Sequence, residues 1–264
     1  MEISNKTDNV AAVMKVFAVL EALAEGDSLN LNDLAQRALT STSTAHRFLQ
    51  TMKRLGYIHQ NGDDKYTLTL KFFGLAASVA KNHADLVAVA DPAMNQLSET
   101  TREAVNLGIL DETGHSVVYI HKYDAHFSLG AQTFVGRRNP LYSTALGKVL
   151  LAWLDGNCAK KYLEAVEFIR FTPNTLANVD AVMSELETVR RQGYAEDNEE
   201  GEIGVHCLAA PIFNHLGKVV AAISVSFPVS RYIENNKSRY IKEMQISAAN
   251  ISGNIGFHRY NIIN

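Results

Sequence analysis

Between Asp33 and Asp63 the chain has no acidic residue, yet it carries Arg37, Arg47, Lys53 and Arg54. Such a segment must bury its apolar side chains while keeping a surface of one sign, and an amphipathic helix does both. In "TSTSTAHRFLQTMKRLGYIHQ" (40–60) the short hydroxyl of Thr42 or Ser43 suits an N-cap, because it accepts from the free N–H groups of a first turn. At about 100° per residue, Ala45, Phe48, Leu49, Met52 and Leu55 share one face. Ser43, His46, Arg47, Gln50, Lys53 and Arg54 share the other, and Gly56 ends the helix as a C′ glycine.

The flanking segments give this helix a setting. "VAAVMKVFAVLEALAEG" (10–26) has a helical period through Val13, Phe17, Leu20 and Leu23. "LNLNDLAQRALT" predicts a short helix with Leu31, Leu34, Ala35 and Ala38 inward, and its separation from the cationic helix is that of a helix-turn-helix. "GYIHQ" and "KYTLTL" read as strands joined by "NGDD", where Asn61-Gly62 signals a hairpin. The sum is a winged helix-turn-helix. A duplex carries a negative charge about every 1.7 Å of its axis, so a docking face is best kept free of carboxylates. Ser41, Thr42, Ser43 and Thr44 suit phosphate oxygens, and His46, Arg47 and Gln50 are placed for base edges. Lys53, Arg54 and Lys65 of the hairpin complete the candidate DNA contacts. A basic solvated helix that binds nothing is the alternative, which the adjoining helices and hairpin disfavour.

The net charge of -3 says nothing about nucleic acid, so any electrostatic footprint is local. A length of 264 residues and a 47% apolar fraction suit two soluble domains. The expected division is 1–67 for the winged helix-turn-helix, 68–84 for a connector helix, and 85–264 for a second domain. "MEISNKTDNV" has no apolar core of a leader, and no run is long enough to span a membrane. Cys158 and Cys207, with no CxxC, fit a reduced cytoplasm. In the second domain a helix is expected over 85–103, with Pro92 as a kink or restart. Strands follow at "AVNLGILDE", "SVVYIHKYD" and "FSLGAQTF", then helices at "STALGKVLLAWLD", "CAKKYLEAV" and "NVDAVMSELETVRRQG". "GYAED", "GVHCLAAPIF" and "KVVAAISVSF" are strands, and a last helix covers about 230–258. An antiparallel sheet with packed helices makes this an α+β domain.

Three places in it suit a ligand. Ser143 reads as the N-cap of a helix whose first turn would offer the N–H groups of Ala145 and Leu146, beside Thr144, to an anion; from these residues alone an ordinary capped helix is the favoured explanation. "ALGK" is no phosphate loop, since the first glycine of that motif is absent. In the hairpin 205–227, pairing Phe213 with Lys218 sets Cys207 opposite Ser224, with Ala222 and Ser226 on the same face. Val219, Ala221, Ile223, Val225 and Phe227 then form a core face. The small, weakly polar face suits a pocket floor, or close packing on a helix. In "EDNEEGE" (196–202) most carboxylates read as solvated, with Asp197 able to turn inward and accept from a ligand hydroxyl.

"STSTAHRFLQTMKRLGYI", "GRRNPLYSTALGKVLLAWL" and "GYAEDNEEGEIGVHCLAAPIFNHLGKVVAAISVSFP" together resemble an IclR-type transcriptional regulator over nearly the whole chain. The wording is most similar to the KdgR-type branch, regulators of 2-keto-3-deoxygluconate and related sugar-acid catabolism. The resemblance implies a GAF-like effector domain, dimers or tetramers on palindromic operators, and a small organic-acid effector. It carries effector contacts onto Ala145, Leu146, Asp197, Cys207, Ser224 and Ser226, beside Ser143 and Thr144. Ala145 stands where some keto-acid binders have glycine, and His206 where close relatives often have arginine, which bears on the effector's identity. Catalysis is disfavoured: His206 and Cys207 are adjacent on a strand and point apart, and HExxH, GxSxG and GxGxxG are missing. No histidine pair has tight metal-ligand spacing, so neither a metal nor a cofactor is expected. A second domain that only dimerises is the remaining alternative.

Overall fold

A computed structural model of the chain describes residues 7–26, 28–81, 83–111, 116–131, 133–154 and 156–257. Residues 1–6, and residues 82, 112, 155 and 258 at the ends of expected elements, lie outside this set. The chain divides into two compact units, Met1–Asn82 and His83–Asn264. No helix among the described residues is long and apolar enough to cross a membrane.

The first unit runs α1 (Thr7–Ala24), α2 (Leu31–Arg37), α3 (Thr42–Arg54), β1 (Ile58–Gln60), β2 (Tyr66–Leu68) and α4 (Lys71–Lys81). Its core gathers Val19 and Leu23 of α1, Leu34 of α2, Leu49 and Met52 of α3, and Ile58 and Tyr66 of the hairpin. Val13 and Phe17, expected inward, are 55% and 58% exposed. The helix is apolar nearly all round, so spacing admits two faces, and contact with α2 and the hairpin selects the one through Val19. The cap of α3 is Ser41, one residue earlier than expected: its Oγ accepts from Thr44 N at 3.3 Å. Leu55, also expected inward, is the C-cap and is exposed, because the backbone leaves the helix there for Gly56 at φ +77°. The hairpin closes with Asn61 N donating to Lys65 O at 2.9 Å, and the left-handed residue is Asp64, not Gly62. Asn61 Oδ1 holds this turn by accepting from the N–H groups of Asp63 and Lys65. The helix expected from Leu68 starts at Lys71, since Leu68 is still paired with Ile58.

The second unit is built on a six-stranded antiparallel sheet in the order β5-β4-β3-β8-β7-β6. These are β3 (Ala104–Leu110), β4 (Ser116–Tyr123), β5 (Arg138–Pro140), β6 (Ala195–Asn198), β7 (Val205–Phe213) and β8 (Val219–Pro228). α5 (Ala84–Thr101) and α9 (Lys237–Asn254) pack on one face through Met94, Leu97, Met244 and Ile251, against Ile223, Val225 and Phe227. α6 (Ala145–Ala152), α7 (Gly156–Ala165) and α8 (Val179–Gln192) pack on the other through Leu146, Val149, Leu163 and Leu186. The result is the expected α+β, GAF-like arrangement of helices on an antiparallel sheet.

Several local expectations are corrected. α5 passes through Pro92 without a restart and ends in a left-handed Arg102. The segment 127–134, expected as a strand, forms none among its described residues; 138–140 takes the edge of β4 instead, leaving Phe127, Leu129 and Phe134 exposed. α9 starts at Lys237, after a short 3-10 turn at Glu234–Asn236, rather than near 230. In the β7–β8 hairpin Cys207 pairs with Ser226, and Ser224 pairs with Ala209. Phe213 pairs with Val219, one residue beyond the expected Lys218, and an irregularity between Ile212 and Phe213 adds one more, so the rest of the hairpin lies two residues from the expected register. An even slip preserves side-chain parity, so Cys207, Ala222, Ser224 and Ser226 still share a face.

Candidate functional site

Two surfaces, one in each unit, can carry chemistry. On α3, Ser41, Thr42, Ser43, His46, Arg47, Gln50, Lys53 and Arg54 are exposed and Thr44 is half-buried. Lys65 is exposed on the hairpin. Ala45, Leu49 and Met52 anchor the opposite side of the helix, which is why the polar side must face outward. Ser41 Oγ donates to Thr44 Oγ1 at 2.8 Å, and Gln50 Nε2 lies 3.3 Å from His46 Nε2. Lys53 Nζ donates to Gln60 Oε1 at 2.8 Å, and Gln60 Nε2 donates to Asp64 Oδ1 at 3.1 Å. This chain ties the cationic face of α3 to the hairpin. The wing tip departs from the cationic character, since Asp63 and Asp64 are both exposed there.

In the second unit a cavity of about 830 Å³ lies over the face of the sheet that α6 covers. Ser143, Thr144, Ala145, Leu146, Asp197, Cys207, Ser224 and Ser226 all line it. Register explains the convergence, because Ser226 of β8, Cys207 of β7 and Asp197 of β6 are successive cross-strand partners. The helix cap is Thr144, not Ser143: Thr144 is extended, its Oγ1 accepts from Gly147 N at 3.1 Å, and it donates to Pro140 O at 3.0 Å. Lys148 N returns to Thr144 O. The N–H groups of Ala145 and Leu146 have no partner among the described residues, as the first turn of a helix leaves them. Ser143 Oγ is buried with no hydrogen-bond partner among the described residues. Gly147 lets the helix dock: a methyl group there would sit 2.4 Å from the Cα and carbonyl oxygen of Leu141.

Burial pushes the Asp197 carboxyl up to about 6, and the nearby charge of Glu200 adds to this. The N–H groups of Glu200 and Gly201 oppose the shift by donating to Asp197 Oδ1 at 2.8 and 3.4 Å. Burial also holds the Cys207 thiol far above its usual range, with the charge of Asp197 adding, and Sγ donates to Ser226 Oγ at 3.2 Å. Cys207 is therefore a neutral donor here, not a thiolate nucleophile. His206 lies on the opposite face, stacked on Tyr232 at 3.9 Å and 2.9 Å from Glu196 Oε1.

The acidic run is not mainly solvated, contrary to expectation. Glu196 meets Lys237, Glu199 Oε2 accepts from Gly204 N at 2.8 Å, and Glu200 is buried against Lys148; among these carboxylates Glu202 is the exposed one. Lys148 itself was missed. Only 1% exposed, it places Nζ 2.5 Å from Glu200 Oε1 and 3.8 Å from Glu185. A lone cation inside the apolar run "ALGKVLLAWL" was the available signal, since such a charge needs a buried partner. Asn106, Tyr119 and Asn139 also line the cavity and were missed. Burial pushes the Tyr119 hydroxyl up to about 12, and it accepts from Asn139 Nδ2 at 3.0 Å.

The family model described as "IclR helix-turn-helix domain" matches residues 12–62, and "Bacterial transcriptional regulator IclR C-terminal" matches residues 78–253. The chain is 47% identical over 98% of its length to the HTH-type transcriptional regulator KdgR of Dickeya chrysanthemi, covering 84% of that protein. It is 46% identical to the KdgR of Escherichia coli (strain K12), covering 98% of each chain. The crystal structure of the C-terminal domain of E. coli KdgR superposes with a TM-score of 0.60 at 45% identity, over 66% of this chain and 99% of that one. With a winged helix-turn-helix and an α+β second unit both matched, the chain belongs to the IclR family, as a DNA-binding transcriptional regulator of the KdgR type.

Proposed function

We propose that the protein is a cytoplasmic repressor of sugar-acid catabolic genes, released from its operator by a small carboxylate such as 2-keto-3-deoxygluconate. The exposed face of α3 and Lys65 contact the duplex, phosphates through the hydroxyl cluster and base edges through His46, Arg47 and Gln50. A homodimer or tetramer sets two such helices in successive major grooves, roughly 34 Å apart. The cavity is the effector site, and occupancy shifts the population between DNA-competent and incompetent arrangements. The observation that carries this reading is the cavity itself. It joins the donors of a helix start to hydroxyl, thiol and carboxyl groups from three strands, with no thiolate and no paired base for covalent chemistry. An anion at a helix N-terminus meets both free N–H groups and a favourable dipole.

The test is a gel shift of the full chain on its own upstream DNA, titrated with 2-keto-3-deoxygluconate. Release of the DNA by this acid, and not by glucose, supports the reading. Tight binding that no sugar-derived acid alters would favour a second unit that only dimerises.

A further inference from the structure

Asn106 is a buried polar residue that packing alone does not explain. It lies on β3, between β4 and β8 in the sheet, and is 2% exposed. In register it stands beside Ser224 of β8 and Lys122 of β4, on the sheet face that lines the cavity. Its Nδ2 donates to Ser226 Oγ at a long 3.4 Å, and its Oδ1 has no partner among the described residues. Lys122 does not supply one, because its Nζ is committed to Asp124 Oδ1 at 2.6 Å and Thr133 O at 2.8 Å. Buried polar atoms are nearly always satisfied, so an orphaned amide oxygen beside an open cavity needs an explanation.

We propose that Asn106 is the specificity-determining residue of the cavity, its side-chain amide bonding a hydroxyl on the effector's carbon chain; this rests on the cavity being the effector site. The ligand group must be a hydroxyl. A carboxylate would meet the orphaned amide oxygen with like polarity, and its place is the first turn of α6. An alkyl carbon would leave the orphan unsatisfied and bury it more deeply. A hydroxyl both donates and accepts, so it serves whichever way the amide is turned. Asn106 thereby discriminates between acids that share a carboxylate and keto group but differ in hydroxylation. A site built to bond a hydroxyl rejects the analogue lacking it far more strongly than an apolar pocket can.

The experiment compares 2-keto-3-deoxygluconate with 2-oxohexanoate, the same six-carbon keto acid without hydroxyls, by calorimetry on the full chain. The wild type should prefer the hydroxylated acid. Asn106→Leu, close in size but without the amide, should weaken 2-keto-3-deoxygluconate by about tenfold or more and leave 2-oxohexanoate within about twofold. Asn106→Ser, which keeps a polar group too short to reach, should show the same pattern and serves if the leucine variant does not fold. Equal loss of both acids would assign Asn106 to packing alone, and no loss of either would remove it from the site; each overturns the proposal while the effector reading stands. A wild type that binds neither acid overturns the effector reading and this inference with it.

Discussion

Asp197 is held between opposing influences. Burial and the neighbouring Glu200 disfavour its charge, while two backbone N–H groups and Lys148 favour it, and the carboxyl settles at about 6. Its folded value is thus above the ordinary 3.8. The stability contributed by the protonated form is complete below the unfolded value and is lost as pH rises through about 6. Asp197→Asn keeps an acceptor for Glu200 N and removes the titration. In urea unfolding the variant should therefore gain on the wild type as pH rises from 4 to 7, by something on the order of 2–3 kcal/mol. A gap that does not change with pH would show that Asp197 keeps its solution behaviour. Lys148 presents a different case, because its partner is buried too. Lys148→Met strands Glu200 and should cost about 3–5 kcal/mol, whereas Lys148→Met with Glu200→Leu should recover most of that. Equal losses in the single and double variants would mean that the pair contributes only packing.

At the scale of elements, α6 is where sequence and structure diverge most usefully. Its apolar run and hydroxyl cap were legible, yet the cap was placed at Ser143 because Ser and Thr are chemically equivalent there and only backbone dihedrals separate them. Gly147 read as an unremarkable helix residue, since nothing local reveals that the segment at Leu141 passes against it. Gly147→Ala should cost about 1–3 kcal/mol by overpacking, and should weaken effector binding by displacing the first turn, with the melting curve and the calorimetric titration read on one preparation. Unchanged values in both would mean that Leu141 moves aside freely. α3 and most of the β7–β8 hairpin were read correctly as to face because side-chain parity survives a slip of two residues; Val219 is the exception, since the one-residue irregularity beside it turns it to the α6 side with Cys207 and Ala222. The register itself was not legible, because nothing in the local sequence marks the irregularity at Ile212/Phe213, where Phe213 N donates to Ser252 Oγ of α9 at 3.0 Å. Lys148 and Glu200 are far apart in sequence, and Asn106 alternates with Val105 and Leu107 as any solvent-facing strand residue does. Residues whose partners are distant leave no local period to read.

For the whole molecule, the proposed regulation amounts to a coupling free energy between the cavity and the α3 face, and any such coupling is reciprocal. If the effector lowers operator affinity by some factor, operator DNA must lower effector affinity by the same factor, whatever path joins the two units. A coupling of about 1–3 kcal/mol corresponds to roughly 5- to 150-fold. Effector titrations of the full chain, with and without saturating operator, should therefore differ by the same ratio as operator titrations with and without saturating effector, at one fixed salt concentration because phosphate contacts make every DNA affinity salt-dependent. Ser224→Leu, which fills the cavity floor, should abolish both ratios and leave the effector-free operator affinity unchanged. Loss of operator affinity in that variant would instead mean that the floor of the cavity shapes the DNA-competent state directly. Ratios that keep rising with the concentration of the second ligand, instead of levelling off, would show that the acid acts at the DNA-binding face itself, in competition with phosphate.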